Sequence, residues 1–267
     1  MSDGSVVAKS TGIGKPRWSV RSRILILRYA IVLVIVGGWQ FAASTGAVSV
    51  HNWSSPALVF DRLWSIFASG MIWPHLFDSI SATISALAIA AVLGTALALT
   101  LARHKLLQAT LDPLLAALQG IPRIAFAPLI ILFLGIGFAA KVTLSVSIVL
   151  FVFYANVQAG LSQVNQTLLR NLELMGASQR EQFRMAVFPS LVPWLWASLD
   201  LSLGLSLIGV VISEFISSTR GLGHLISAAS LGFDTTGLIA LLVVTMVVVV
   251  ALHGGLVAVK VRLMPWA

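Results

Sequence analysis

The chain has 267 residues, of which 58% are hydrophobic and only 10% charged, with a formal net charge of +8 and no cysteine. A soluble domain has about a quarter of its residues charged, so this composition excludes a soluble globular enzyme and predicts an integral membrane protein. The lack of cysteine excludes disulfides, thiolate metal sites and cysteine nucleophiles. The excess of basic residues reads as a membrane-orientation signal rather than a nucleic-acid footprint.

In chain order, residues 1–23 are polar, basic and rich in Ser and Gly, and are expected to form a cytoplasmic tail ahead of a transmembrane domain over 24–267. The first apolar run is long and lacks a small-residue cleavage site, which predicts a retained span rather than a signal peptide. Spans are expected at 24–43, 80–101, 113–134, 142–160, 194–216 and 237–259, each close to the roughly 20 residues a helix needs to cross a bilayer. Between the first two, Pro56–Trp73 has apolar residues at helical spacing with Trp64 inside it and Trp53 just before, which predicts an amphipathic helix at the outer interface. Pro122 and Pro128 predict that the third span is kinked or built from two pieces. A short apolar helix is expected at Leu222–Leu231. Of the 17 Lys and Arg, all but Arg62, Arg123, Lys141 and Arg220 fall on one side of this topology, which places both termini in the cytoplasm. The fold class is therefore an all-α membrane protein with six transmembrane helices.

No G-x-x-x-x-G-K-[ST] occurs, so the chain is expected to hold no nucleotide through a P-loop of its own. With no H-E-x-x-H and five scattered histidines, no metal site is expected. The longest polar interval downstream of residue 110 is residues 162–193. There Leu168, Leu169, Leu172 and Met175 have helical spacing before Gly176, and Phe183 and Val187 continue it afterwards. This predicts two short amphipathic helices meeting near Gly176, with Pro189 and Pro193 marking the start of the fifth span. By spacing alone, a solvated loop fits equally well.

Ionisable residues inside a span are costly and usually functional. Asp200 and Glu214 stand fourteen residues apart in the fifth span, about 21 Å along the axis and near one face. Ser198, Ser202 and Ser206 recur every fourth residue beside Gly204 and Gly209. This stripe suits a helix-packing seam or the lining of a translocation pathway. Glu214, near the outer end, is a candidate gate residue. Arg123, directly after Pro122, is either an anion-attracting pathway residue or an interface arginine paired with Asp112. His253 is expected as a packed, neutral histidine.

Gly176-Ala177-Ser178, Phe183-Arg184, Pro189 thirteen residues after Gly176, and Pro193 resemble the cytoplasmic coupling loop of ABC importer permeases. That motif reads Glu-Ala-Ala, three residues, Gly, nine residues, Ile, one residue, Leu-Pro. The sequence departs from it at Arg170-Asn171-Leu172, where Glu-Ala-Ala belongs, and at Phe188-Pro189 in place of Leu-Pro. Pro122–Gly137 is similar to the Pro-x-x-Ala-x-x-Pro-Leu…Gly-x-Gly signature of the nitrate/sulfonate/taurine permeases. Ile212–Ile226 is similar to their Glu…Gly-Leu-Gly-x-Leu-Ile. Together the resemblance covers about Pro56 to Trp266.

The resemblance implies the type I ABC importer permease (MetI-like) fold in a bacterial inner membrane. It implies a homodimer that works with two cytoplasmic ATPase subunits and an extracytoplasmic solute-binding protein, without nucleic acid. ATP and Mg would sit on the ATPase subunits, with no cofactor or catalytic residue on this chain. Coupling would run through Arg170, Asn171, Leu172, Gly176, Ala177, Ser178, Phe183 and Pro189. Arg123, Asp200, Ser202, Ser206 and Glu214 are the candidates for the pathway or gate. The solute would be small and anionic, such as nitrate, a sulfonate, taurine or bicarbonate. The rival reading is an ion-coupled secondary carrier with Asp200 at its ion site.

Overall fold

The computed structural model describes residues 20–263, and all their regular elements are helical. Most of the expected basic tail, including Lys9, Lys15 and Arg17, lies outside the described residues. The chain divides into two compact units, Met1–Ala57 and Leu58–Ala267. In the first unit, α1 (Val20–Ser44) is followed by the short α2 (Val50–Trp53). The side chain of Gln40 accepts a hydrogen bond from the Ala57 amide at 3.2 Å, which ties the connection back to α1.

The second unit is built on three long helices: α4 (Ile72–Arg103), α7 (Phe138–Ser162) and α10 (Phe188–Ile216). With α3 (Pro56–Ala68) ahead of it, α4 runs 32 residues, about 48 Å at 1.5 Å per residue. Ala82, Ala86, Ala90, Gly94 and Ala98 recur every fourth residue and form its buried ridge. Small residues let helix backbones approach closely where lipid removes the hydrophobic drive for association. At Gly94, an added Cβ would lie 2.5 Å from the Leu150 carbonyl of α7, so nothing larger fits. At Gly209 of α10 it would lie 2.8 Å from Ser145 Cα. The three helices therefore pack along matched small-residue seams, with Val149, Phe153 and Val157 of α7 fully buried between them.

Between α4 and α7 the chain folds as α5 (Lys105–Gly120), a 3-10 turn (Arg123–Phe126) and α6 (Ala127–Leu134). The two halves are bent by 87°. Pro122 precedes the break, where its ring disfavours helix in the residue before it, and Pro128 occupies the first turn of α6, where its missing N–H leaves no bond unmade. The broken third span follows from the prolines, but its first half starts at Lys105 rather than at 113 as expected. Among the described residues, five helices are long and apolar enough to cross a membrane, and the bent pair would be a sixth crossing if counted as one.

Two further boundaries differ from expectation. Gly70, at φ +75°, ends the α3 segment, so Trp73 belongs to α4 and the amphipathic helix stops at Ala68. The polar interval holds α8 (Gln166–Leu174) and α9 (Gln179–Gln182), and α9 then runs through a π-helical turn (Phe183–Val187) directly into α10. The unit closes with α11 (Leu222–Leu231) and α12 (Thr235–Leu263). Arg62 of α3 forms an ion pair with Asp234 just ahead of α12.

Candidate functional site

At one end of α10 lies the elbow α8–α9. Asn165 caps α8, its side chain accepting from the amides of Thr167 at 2.9 Å and Leu168 at 3.2 Å. The helix closes in a Schellman motif. Gly176 N–H donates to the Glu173 carbonyl and Ala177 N–H to the Leu172 carbonyl, both at 2.9 Å. That geometry requires the left-handed conformation at Gly176, whose φ is +81°. Two residues later Ser178 opens α9 with a full capping box: its N–H donates to Glu181 at 2.8 Å and its hydroxyl accepts from the Glu181 amide. The segment Met175-Gly-Ala-Ser178 is therefore a rigid turn with both flanking helix ends satisfied, not a solvated loop.

A Cβ on Gly176 would meet open space, so the residue is there for the turn and not for packing. The second arm is no separate helix. Phe188 N–H bonds the Phe183 carbonyl across the π turn, and Pro189 and Pro193 sit within the first turns of α10 without breaking it. Leu174 and Met175 stand out from the tip at 86% and 83% exposure. Arg170, Asn171, Glu173, Arg180 and Arg184 are exposed around them, and among the described residues none of these charged groups forms an ion pair. Leu172, Ala177 and Phe183 are half-buried, while Ser178 and Pro189 are exposed. Phe183 helps line a cavity of about 300 Å3 with Leu99 and Arg103 of α4, Leu161 of α7 and Leu169 of α8. The elbow thus borders α4 and α7 at this cavity and runs on into α10.

At the other end of α10, Glu214 is sealed in the protein. Its carboxylate accepts from Ser79 Oγ at 2.8 and 2.9 Å, from Gly223 N–H at 2.9 Å and from Lys141 Nζ at 3.2 Å. Lys141 is only 3% exposed. It also pairs with Asp78 and donates to the Arg220 carbonyl at 2.7 Å. Ser79 Oγ in turn accepts from Leu222 N–H at 2.8 Å. Gly221 has φ +115°, and a Cβ there would fall inside the Glu214 carboxylate. This explains the Glu…Gly-Leu-Gly pattern physically: the glycines let the backbone close over a buried charge. His75 Nδ1 takes the Gly221 N–H at 3.0 Å, and its ring stacks on His224 with centroids 6.0 Å apart. One network thereby fastens α4, α7, α10 and the start of α11.

Lys141 was expected in an outer loop. It lies instead four residues into α7, as the neutralising partner that a buried carboxylate needs. The available signal was its place one residue before an apolar run, in a chain whose Glu214 lacked a partner.

The family of binding-protein-dependent transport system inner membrane components matches residues 90–263. The chain belongs to that family. The permease is 26% identical over 257 residues to the taurine transport system permease protein TauC of Escherichia coli, covering 94% of this chain and 93% of that one. It is 29% identical over 248 residues to the putative aliphatic sulfonates transport permease protein SsuC of the same organism, covering 93% and 91%. To the riboflavin transport system permease protein RibX of Chloroflexus aurantiacus it is 30% identical over 204 residues, covering 76% of each chain. Its fold matches a crystal structure of an amino acid ABC transporter, with a TM-score of 0.60, 17% identity, and coverage of 75% of this chain and 97% of that one. A second match is the MetNI methionine ABC transporter in inward-facing form, TM-score 0.55 at 17% identity. The type I importer permease fold holds, and the protein is a multi-pass permease subunit of an ABC importer.

The permease distributes the remaining candidates unequally. Ser202 and Ser206 are fully buried, as is Ser198. Ser206 Oγ donates to the Thr83 carbonyl at 3.0 Å and pairs with Ser145 Oγ at 2.9 Å. The serine stripe is thus a buried face on which Ser206 joins α10 to α4 and α7, while Ser198 Oγ donates to the Trp194 carbonyl of its own helix and the buried Ser202 Oγ has no hydrogen-bond partner among the described residues. Asp200 turns away from Glu214. It meets His253 of α12 at 3.2 Å, with the two side chains 58% and 50% exposed. His253 is therefore not the packed histidine expected. Arg123 does not pair with Asp112. Its guanidinium lies 4.6 Å over the Phe151 ring, while Asp112 accepts from the Tyr154 hydroxyl at 2.5 Å.

Proposed function

We propose that the permease works as a homodimer, carrying two ATPase subunits on the face where α8 and α9 protrude and receiving a solute-binding protein on the opposite face. The observation that carries this reading is the exposed Leu174–Met175 tip, ringed by Arg170, Arg180 and Arg184 and continuous with α10. An apolar knob with a charged rim is the anatomy of a docking site. Its rigid caps would turn docking movement into tilt of α10 rather than local bending. The basic ends of the spans support a cytoplasmic position for this face and for both termini. ATP and Mg belong to the ATPase subunits in this reading.

With Arg170 where the motif has an acidic residue, the ATPase groove is expected to present an acidic residue opposite it. The solute is a small anion-bearing compound of the kind named for two of the relatives, taurine or an aliphatic sulfonate. The test is co-purification of the permease with its ATPase, followed by ATP hydrolysis in liposomes. Hydrolysis stimulated by solute-loaded binding protein supports the reading. Solute uptake driven by an ion gradient without any ATPase would favour a secondary carrier instead.

A further inference from the structure

The elbow and the Glu214 network leave one polar groove between α10 and α12 without a role. It encloses about 430 Å3 and is lined by Pro193, Trp196, Asp200, His253, Leu256 and Lys260 among others. Asp200 and His253 come from different helices and meet at 3.2 Å. Asp200 is about 18 Å along α10 from Phe188, and His253 about 15 Å from Leu263, at 1.5 Å per residue. The pair therefore lies deep in two apolar spans.

The groove has two charged poles. Asp200 is 58% exposed, so its carboxylate retains acceptor capacity beyond the single contact with the imidazole. Lys260 lies seven residues beyond His253, about 10 Å further along α12, and supplies a cation at the other pole. Trp196 offers an aromatic wall near Asp200. A solute carrying only negative charge would meet Asp200 as a like charge, whereas one with both signs matches both poles.

We infer that this groove is a solute subsite selective for a zwitterion, with an ammonium group docking on Asp200 and the anionic end lying toward Lys260. This rests on the import reading above and narrows its solute. The test uses the full-length permease in lipid nanodiscs and two probes, 2-aminoethanesulfonate and ethanesulfonate, which differ in the ammonium group. Equilibrium dialysis is expected to show about tenfold stronger retention of the amino compound, the order expected for one charge-assisted hydrogen bond. Asp200→Asn, isosteric and on an exposed position, removes the preference. Lys260→Gln weakens retention of both probes.

Equal retention of the two by the unmodified chain, retention of neither at millimolar concentration, or a preference that survives Asp200→Asn overturns the inference. No ATPase is present in this measurement, so its outcome is separate from the co-purification that tests the import reading.

Discussion

The two ends of α10 use glycine and charge in opposite ways. At the α11 end, Gly221 and Gly223 have no spare room, and the charge they enclose is fully paired. At the α8 end, Gly176 has open space around it and its neighbouring charges are unpaired within the described residues. The first arrangement resists change because each group depends on the others. The second holds a fixed shape with little burial, which leaves its surface free for a partner. One end is thus closed within the subunit, and the other stands open on its surface.

Substitutions separate the two ends by size of effect. The largest loss is expected for Lys141→Met, which leaves Glu214 buried without its cation. Breaking one partner of a buried pair costs about 3–5 kcal/mol, and the purified protein should show a sharply lower thermal midpoint in detergent. Adding Glu214→Gln to that variant should recover part of the loss, since the orphaned charge is gone. Gly221→Ala is next. The methyl collides with the Glu214 carboxylate and also strains the backbone, so folded yield should fall steeply. Gly176→Ala has only the backbone cost, about 1 kcal/mol, and should fold and reach the membrane. If the two alanine variants lost equal amounts of folded protein, the contrast between the ends would fail. Ser178→Ala removes the α9 cap and should cost about 1 kcal/mol, read as earlier loss of local amide protection around 179–182. The smallest effect on stability, within about 0.5 kcal/mol, belongs to Met175→Asp on the exposed tip.

The two ends also differed in how far the sequence revealed them. The elbow is local. Gly176, Ser178 and Glu181 carry their own capping chemistry within a few residues, so a turn between two helices was readable from spacing, and the coupling motif sharpened it. Its second helix was not expected to be continuous with α10, because Pro189 and Pro193 read as the start of a separate span. In the structure Pro189 falls in the first turn of α10, where proline is tolerated, Pro193 lies inside the helix, and a π turn joins α9 to α10 without a break. The network at the α11 end is non-local. Glu214 stood out as a charge in a span, but its partners Ser79 and Lys141 lie 135 and 73 residues away, and no periodicity links them. The serine stripe was ambiguous for a physical reason as well. Small hydroxyl residues at every fourth position serve a tight seam or a wet pathway equally, and only the packing of Ser206 on Thr83 and Ser145 decides for the seam.

The claim that α8–α9 passes partner movement to α10 is tested most directly at the tip. ATP hydrolysis by the reconstituted complex, with solute-loaded binding protein, should be measured for Leu174→Asp combined with Met175→Asp. A permease that keeps its thermal midpoint but loses the ATPase subunits, or loses stimulated hydrolysis with them still bound, is the expected result. Full stimulated hydrolysis and transport with both aspartates in place would contradict it.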